Sequence, residues 1–178
     1  ALAIAFVGMI IYVTFRFELF FAITAILALL HDAFIMLAFF SFTRLEFDVT
    51  IVAAILTIIG YSINNTIVVF DRIRENVRFE GKITSFKRLA TIINRSLLQT
   101  FNRSFNTTIT TIIAVVSFLV LGAESISSFS IALLVGLIAG FYSSLLLAAQ
   151  LWLVWRGKKL KEKPLDFTKK KRVEGPQV

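Results

Sequence analysis

Residues 60–76 read GYSINNTIVVFDRIREN. An apolar run carries two adjacent asparagines, Asn64 and Asn65, and then breaks into alternating acid and base from Asp71. An amide moved out of water without a hydrogen bond costs roughly 2–7 kcal/mol, so each asparagine calls for a partner. Interhelical hydrogen bonding is the first expectation for both. Asn64 shares a helical face with Thr57, Tyr61 and Val68, and Asn65 shares the next face with Ser62.

The chain around this stretch is 178 residues long and 57% hydrophobic, with a mean hydropathy of +0.83. A soluble domain of that size has too much surface to hide so much apolar side chain. The apolar residues also fall in blocks near the ~20 residues that a helix needs to cross a bilayer. The composition implies an all-α, polytopic membrane protein. With no cysteine, disulfides and thiolate metal sites are excluded. The sequence opens at Ala1 inside an apolar run, with no basic leader and no small-residue cleavage site, which reads as a piece of a longer chain and not as a signal peptide.

Hydropathy gives five spans, at about 1–15, 19–41, 49–70, 103–123 and 129–155. Together they make a transmembrane bundle over 1–155, followed by a basic tail over 156–178. Of the 19 Lys and Arg, eight lie in 71–103 and nine in the tail. The positive-inside rule puts the 71–102 connection and the tail in the cytoplasm, and five spans then place the amino end outside. Within 71–102, Ile73, Val77, Leu89, Ile92 and Ile93 recur at helical spacing between basic residues, which reads as amphipathic helices lying on the inner membrane surface. The fourth span is the awkward one. Its cleanly apolar part, 109–123, is too short to cross, so a full span takes in Arg103, Ser104 and Asn106. Gln99, Arg103, Asn106 and Thr110 follow one helical face, a polar stripe expected to turn toward the bundle interior.

The segments LLHDAFIMLAFF (29–40), LEFDVTIVAAILTIIGYSINNTIVVFDRIREN (45–76), IINRSLLQTFNRSFNTTITT (92–111) and GLIAGFYSSLLLAAQLWL (136–153) resemble the SecD/SecF branch of the resistance–nodulation–division (RND) superfamily. The match is to the carboxy-terminal membrane part of SecF-type protein-export subunits. The resemblance implies a five-helix RND-type bundle with amphipathic cytoplasmic helices. It also implies an accessory role in the Sec translocase, coupling proton-motive force to preprotein export across the bacterial cytoplasmic membrane. A SecD-type half, the SecY channel complex, the preprotein and membrane lipids are the partners it implies. The coupling ion would be H⁺ or Na⁺, with no other cofactor. Where the family pattern reads Ser-Ile-Asn-Asp-Thr, this chain has Ser62, Ile63, Asn64, Asn65 and Thr66, so an amide stands where the family carries a relay carboxylate. Arg103 matches the intramembrane arginine proposed as that carboxylate's partner. Asn65 does not titrate, yet offers a carbonyl to Arg103. It reads as a replacement that fixes one protonation state, as a natural variant, or as the mark of a branch coupled through other groups.

His31 and Asp32 sit near the middle of the second span, and the family retains this pair. One His and one carboxylate are too few ligands for a metal site. The readings left open are a proton role beside Asn65 and Arg103, or a structural pair bonded across helices. His31, Ser62, Asn64, Gln99 and Asn106 are the polar residues expected in the bundle interior. Asp71, Arg72, Arg74 and Glu75 form the family signature at the cytoplasmic end of the third span, a solvated helix end or a set of gating contacts. Gly136 and Gly140 make a Gly-x-x-x-Gly, which lets helices pack closely. Trp152 and Trp155 read as interface anchors, and the Lys-rich tail as a ligand for anionic lipid rather than nucleic acid. No Ser–His–Asp spacing, phosphate loop or metal cluster is present. The chain is therefore not expected to be an enzyme, and its energy would come from an ion gradient or a partner ATPase. Two other readings stand beside export: an RND-type half that moves lipids or small molecules, and a non-conducting scaffold for SecD and the channel.

Overall fold

The structure is a computed structural model that describes residues 19–44, 48–160 and 165, with isolated positions between 4 and 14. The first span lies mostly outside the described residues; its described positions are helical. Helix α1 runs over Leu19–Thr43, α2 over Val49–Glu80 and α3 over Phe86–Leu121. A short 3₁₀ turn, Glu124–Ile126, leads into α4 (Ser127–Tyr142), a π turn (Ser143–Leu147) and α5 (Ala148–Lys159). The last three form one continuous rod. Four stretches, α1, α2, α3 and this rod, are each long and apolar enough to cross a membrane. The protein is a multi-pass membrane protein.

Local chemistry sets the helix ends. Asp48 caps α2 by accepting from the backbone amides of Thr50 (2.9 Å) and Ile51 (3.2 Å), and its carboxylate satisfies donors that a helix start leaves open. The Thr50 hydroxyl, then the Ile51 and Thr50 amides, hold the Asp48 carboxyl below the usual carboxylate range. Gly81 closes α2 in the left-handed region at φ +71°, where a side chain would be strained. Gly122 ends α3, its N–H donating to the Phe118 carbonyl at 2.9 Å.

The 71–102 connection differs from expectation. Its two amphipathic segments are helical, but they continue α2 and α3 without a break, giving helices of 32 and 36 residues. At ~1.5 Å per residue these are ~48 and ~54 Å long, well beyond a hydrocarbon core of ~30 Å. The apolar stripe packs inward instead of onto a membrane surface: Ile73, Val77, Ile83, Leu89 and Ile93 are buried. The chain beyond α5 returns to this hairpin, where Ile83 and Leu165 exchange backbone hydrogen bonds of 2.9 and 3.1 Å. The rest of the basic tail lies outside the described residues.

Helix α2 is the centre of the bundle, flanked by α1, α3 and the α4–α5 rod. Phe21 stacks on Trp152 at 4.4 Å and meets Phe70 at 4.7 Å, tying α1, α5 and α2. Trp152 is thus fully buried, not an interface anchor, while Trp155 is exposed. Aromatic burial of this size outweighs an interfacial position once three helices converge on one ring. Small residues set the approach of α4 to α2. A Cβ built on Gly136 falls on the Ile58 side chain and 2.9 Å from the Met36 Sδ, whereas one on Gly60 meets nothing within 4 Å. Helix α3 is peripheral, with 17% of its apolar stretch buried against 50% for α2, so most of its membrane-spanning surface is left uncovered among the described residues.

Gly136→Ala is expected to destabilise the bundle by about 1–3 kcal/mol through overpacking. Gly60→Ala is expected to stabilise it by roughly 0.5–1 kcal/mol through lost unfolded-state entropy. Thermal unfolding in detergent, run on both variants, checks the pair; equal behaviour would contradict the close α2–α4 packing.

Candidate functional site

Asp32 is fully buried in the middle of α1. Several polar side chains converge on its carboxylate. Ser62 of α2 donates to Oδ2 at 2.5 Å, and His31 Nδ1 lies 3.3 Å from Oδ1; Ser143 of the π turn is buried beside the carboxylate, its hydroxyl donating to the Gly140 carbonyl at 3.3 Å. Helices α1, α2 and the α4–α5 rod therefore meet at one ionisable group. Gly140 makes room for it: a Cβ there would stand 3.3 Å from the Ser62 Cβ and Oγ and 3.6 Å from Asp32 Oδ2. The π turn follows directly. A π turn inserts an extra residue into the helical repeat and is often found at functional sites, and here Ser143 and Ser144 are fully buried within it.

His31 differs from its neighbour. Its side chain is 31% exposed against 0% for Asp32. It lines a cleft of about 350 Å³ between α1 and α4 with Ile35, Val135, Ile138, Ala139 and Tyr142.

The other expected residues spread out. Asn65 is buried, but its amide nitrogen has no hydrogen-bond partner, and Asn64 is exposed. Arg103 is exposed and makes no side-chain hydrogen bond or ion pair among the described residues. The expected Asn65–Arg103 pairing is therefore not formed in this arrangement. Arg103 instead lines a groove of about 480 Å³ with Val68, Asp71, Arg72, Glu75, Gln99 and Thr100. Asn106 and Thr110 are also exposed on α3, so the polar stripe turns away from the interior of this chain. The buried face of α3 carries smaller hydroxyl residues, Ser96, Thr100, Ser104 and Thr108. Three of these bond back to their own helix, and Thr108 also accepts from the Tyr61 hydroxyl of α2 at 3.1 Å. Of the polar residues expected inside, Ser62 is buried, His31 is half-exposed, and Asn64, Gln99 and Asn106 are exposed.

The signature segment forms a network at the basic end. Gln99 Oε1 accepts from Arg72 Nε and from Asn76 Nδ2, both at 2.8 Å. Arg72 also pairs with Glu75 at 2.5 Å, and Asn76 donates to Ser96 Oγ at 2.8 Å. Arg74 is half-buried nearby. Gln99 thus staples α2 to α3 outside the apolar part of the bundle.

A family model described as "Protein export membrane protein SecD/SecF, C-terminal" matches residues 1–158. The chain belongs to the SecD/SecF family. It is 60% identical over 162 residues to the protein translocase subunit SecDF of Bacillus subtilis, covering 91% of this chain and 22% of that one. Against the protein translocase subunit SecF of Alicyclobacillus acidocaldarius it is 49% identical, covering 86% of this chain and 49% of the relative. A crystal structure of SecDF in a super-membrane-facing form matches with a TM-score of 0.78 at 37% identity, covering 86% of this chain and 20% of that one. A Thermus SecDF described as translocon-associated matches at 0.76 and 39%, covering 83% and 20%. The chain thus spans about half of a SecF relative and about a fifth of a SecDF.

Within the family's bundle, the convergence on Ser143 went unread from sequence. The available signal was the pair Ser143–Ser144 inside an otherwise apolar run, three residues beyond Gly140. The Gln99 staple gives a direct check. Gln99→Leu leaves Arg72 and Asn76 without their shared acceptor and is expected to cost about 1 kcal/mol, whereas Gln99→Glu keeps both bonds. Hydrogen exchange of the 72–99 hairpin should speed up in the first variant only.

Proposed function

We propose that this chain is the carboxy-terminal membrane part of a SecF-type accessory subunit that couples proton-motive force to preprotein export. The observation that carries the reading is the 60% identity to a SecDF over 91% of the chain, within a bundle that superposes on solved SecDF. In this reading the bundle sits in the cytoplasmic membrane. The basic hairpin tip and the carboxy-terminal end face the cytoplasm, in keeping with the distribution of Lys and Arg.

A SecD-type half is the natural cover for α3. Arg103, Asn106 and Thr110 are exposed on a membrane-spanning helix, and charged groups at membrane depth normally face protein or water rather than lipid. The buried Asp32, bonded across two helices, supports an ion-coupled role over a passive scaffold. Asn65 favours the scaffold reading, because an amide does not titrate. The SecY channel and the preprotein are partners in the same reading.

The test uses the full-length protein with its SecD-type half and the channel in inverted vesicles. Export is expected to depend on the proton gradient, to fall several-fold in Arg103→Ala, and to change its gradient dependence in Asn65→Asp, which adds a titrating group. Export indifferent to the gradient in the unaltered protein would leave the scaffold reading standing. Identical export and gradient dependence with Asn or Asp at position 65 would exclude that position from coupling.

A further inference from the structure

We propose that Asp32, Ser62 and Ser143 form a proton-binding site that latches three helices together, with His31 as its port. The inference rests on the ion-coupled reading above and names the group that takes the ion. The carboxylate is fully buried, accepts from Ser62 of α2 at 2.5 Å, and has the buried Ser143 of the π turn beside it. An ionised carboxylate accepts from Ser62 and attracts the Ser143 hydroxyl, whose present bond is to the Gly140 carbonyl at 3.3 Å. Protonation at Oδ1 leaves Oδ2 an acceptor but removes the charge that strengthens the Ser62 bond. The change therefore falls on the junction between α1 and α2, beside the π turn.

The geometry suits a proton rather than a metal cation. A hard cation such as Ca²⁺ sits about 2.4 Å from each ligand oxygen and holds neighbouring ligands about 3.4 Å apart. Ser62 Oγ and Asp32 Oδ2 are 2.5 Å apart, and Gly140 packs against both. The charged or titratable groups facing the site are few. On its own helix there is His31, and on α4 the Tyr142 ring lies 6.3 Å from the His31 ring. Helix α2 presents Ser62 and the π turn Ser143, neither of which carries a charge.

His31 bridges the cleft and the carboxylate. Its Nδ1 is 3.3 Å from Asp32 Oδ1, while part of its ring opens to the cleft. In the transfer step imidazolium Nδ1–H breaks its bond to the proton, and Asp32 Oδ1 accepts it. His31 is left neutral with its remaining proton on Nε2 and a free lone pair on Nδ1, so the ring must turn Nδ1 from Asp32 toward the cleft before it takes the next proton. The π turn is the element placed to respond, because its register differs from that of an α-helix by a single hydrogen-bond step and its first residue is Ser143.

Infrared difference spectra of the full-length protein in vesicles, taken on acidification, read the site directly. A protonated-carboxyl band is expected in the unaltered protein, lost in Asp32→Asn, and shifted in frequency by Ser62→Ala and by Ser143→Ala. A band unchanged in Asp32→Asn, one indifferent to both serine variants, or one driven by Na⁺ at constant pH would overturn the site. The second arm is gradient-driven export. Asp32→Asn is expected to lose most of the gradient-dependent rate, and Asp32→Glu to keep part of it. His31→Gln is expected to slow export several-fold and flatten its pH profile; an unchanged profile would remove His31 from the proposal. If the unaltered protein's export ignores the gradient, the functional reading fails whatever the band does. If it follows the gradient and Asp32→Asn follows it equally, the reading survives and the site does not.

Discussion

A carboxylate held away from water in the middle of a membrane helix costs several kcal/mol unless its surroundings replace the lost solvation. Asp32 imposes that constraint here, and much of the packing follows from it. Ser62 supplies a donor from α2, and Ser143 lies beside the carboxylate from the π turn. Both serines are themselves fully buried, so their hydroxyls bond within the protein, Ser62 to the carboxylate and Ser143 to the Gly140 carbonyl. Gly140 lets the backbone of α4 approach Ser62 and Asp32 closely. Four residues earlier, Gly136 keeps the same approach against Ile58 and Met36. The glycine pair and the buried acid are two sides of one requirement: close helix contact makes the polar centre affordable, and the polar centre fixes which faces must be in contact.

The second organising feature lies outside the apolar layer. Continuing α2 and α3 as one long hairpin moves the charged signature residues away from the bilayer, where side chains can pair in water. Arg72, Glu75, Asn76 and Gln99 form their network there, and each exposed ion pair in it contributes little alone. Their effect is geometric, because α2 carries both Ser62 and the hairpin contacts on one rigid rod. The same helix thus lines the groove around Arg103 with Val68, Asp71, Arg72 and Glu75. The apolar stripe beneath the network, Ile73, Val77, Leu89 and Ile93, keeps that rod attached to α3.

The membrane class and the all-helical fold were legible in the sequence, because hydrophobic runs of about 20 residues have few alternative explanations. The second span read as 19–41 is Leu19–Thr43, and α2 begins where the third span was placed. The connection was less legible, since an amphipathic stripe has the same period whether it meets lipid or a sister helix. The candidate site was half legible. His31, Asp32 and Ser62 stood out as polar residues in apolar runs. The pairing of Asn65 with Arg103 rested on family pattern, and pattern does not fix how a helix is rotated about its axis. Ser143 escaped because a π turn shifts the side-chain phase by a residue, which breaks a count based on 3.6 per turn.

That leaves the asparagines. Asn64 is exposed and needs no partner from this chain. Asn65 is different: its amide nitrogen is buried without an acceptor, a penalty of about 1–3 kcal/mol, one helical turn from Ser62. Ser62, on the same helix, donates to Asp32, so α2 carries a satisfied and an unsatisfied polar group on neighbouring turns. Close packing satisfies the one whose acceptor lies on α1, and the Asn65 amide, one turn further along, meets no acceptor among the described residues.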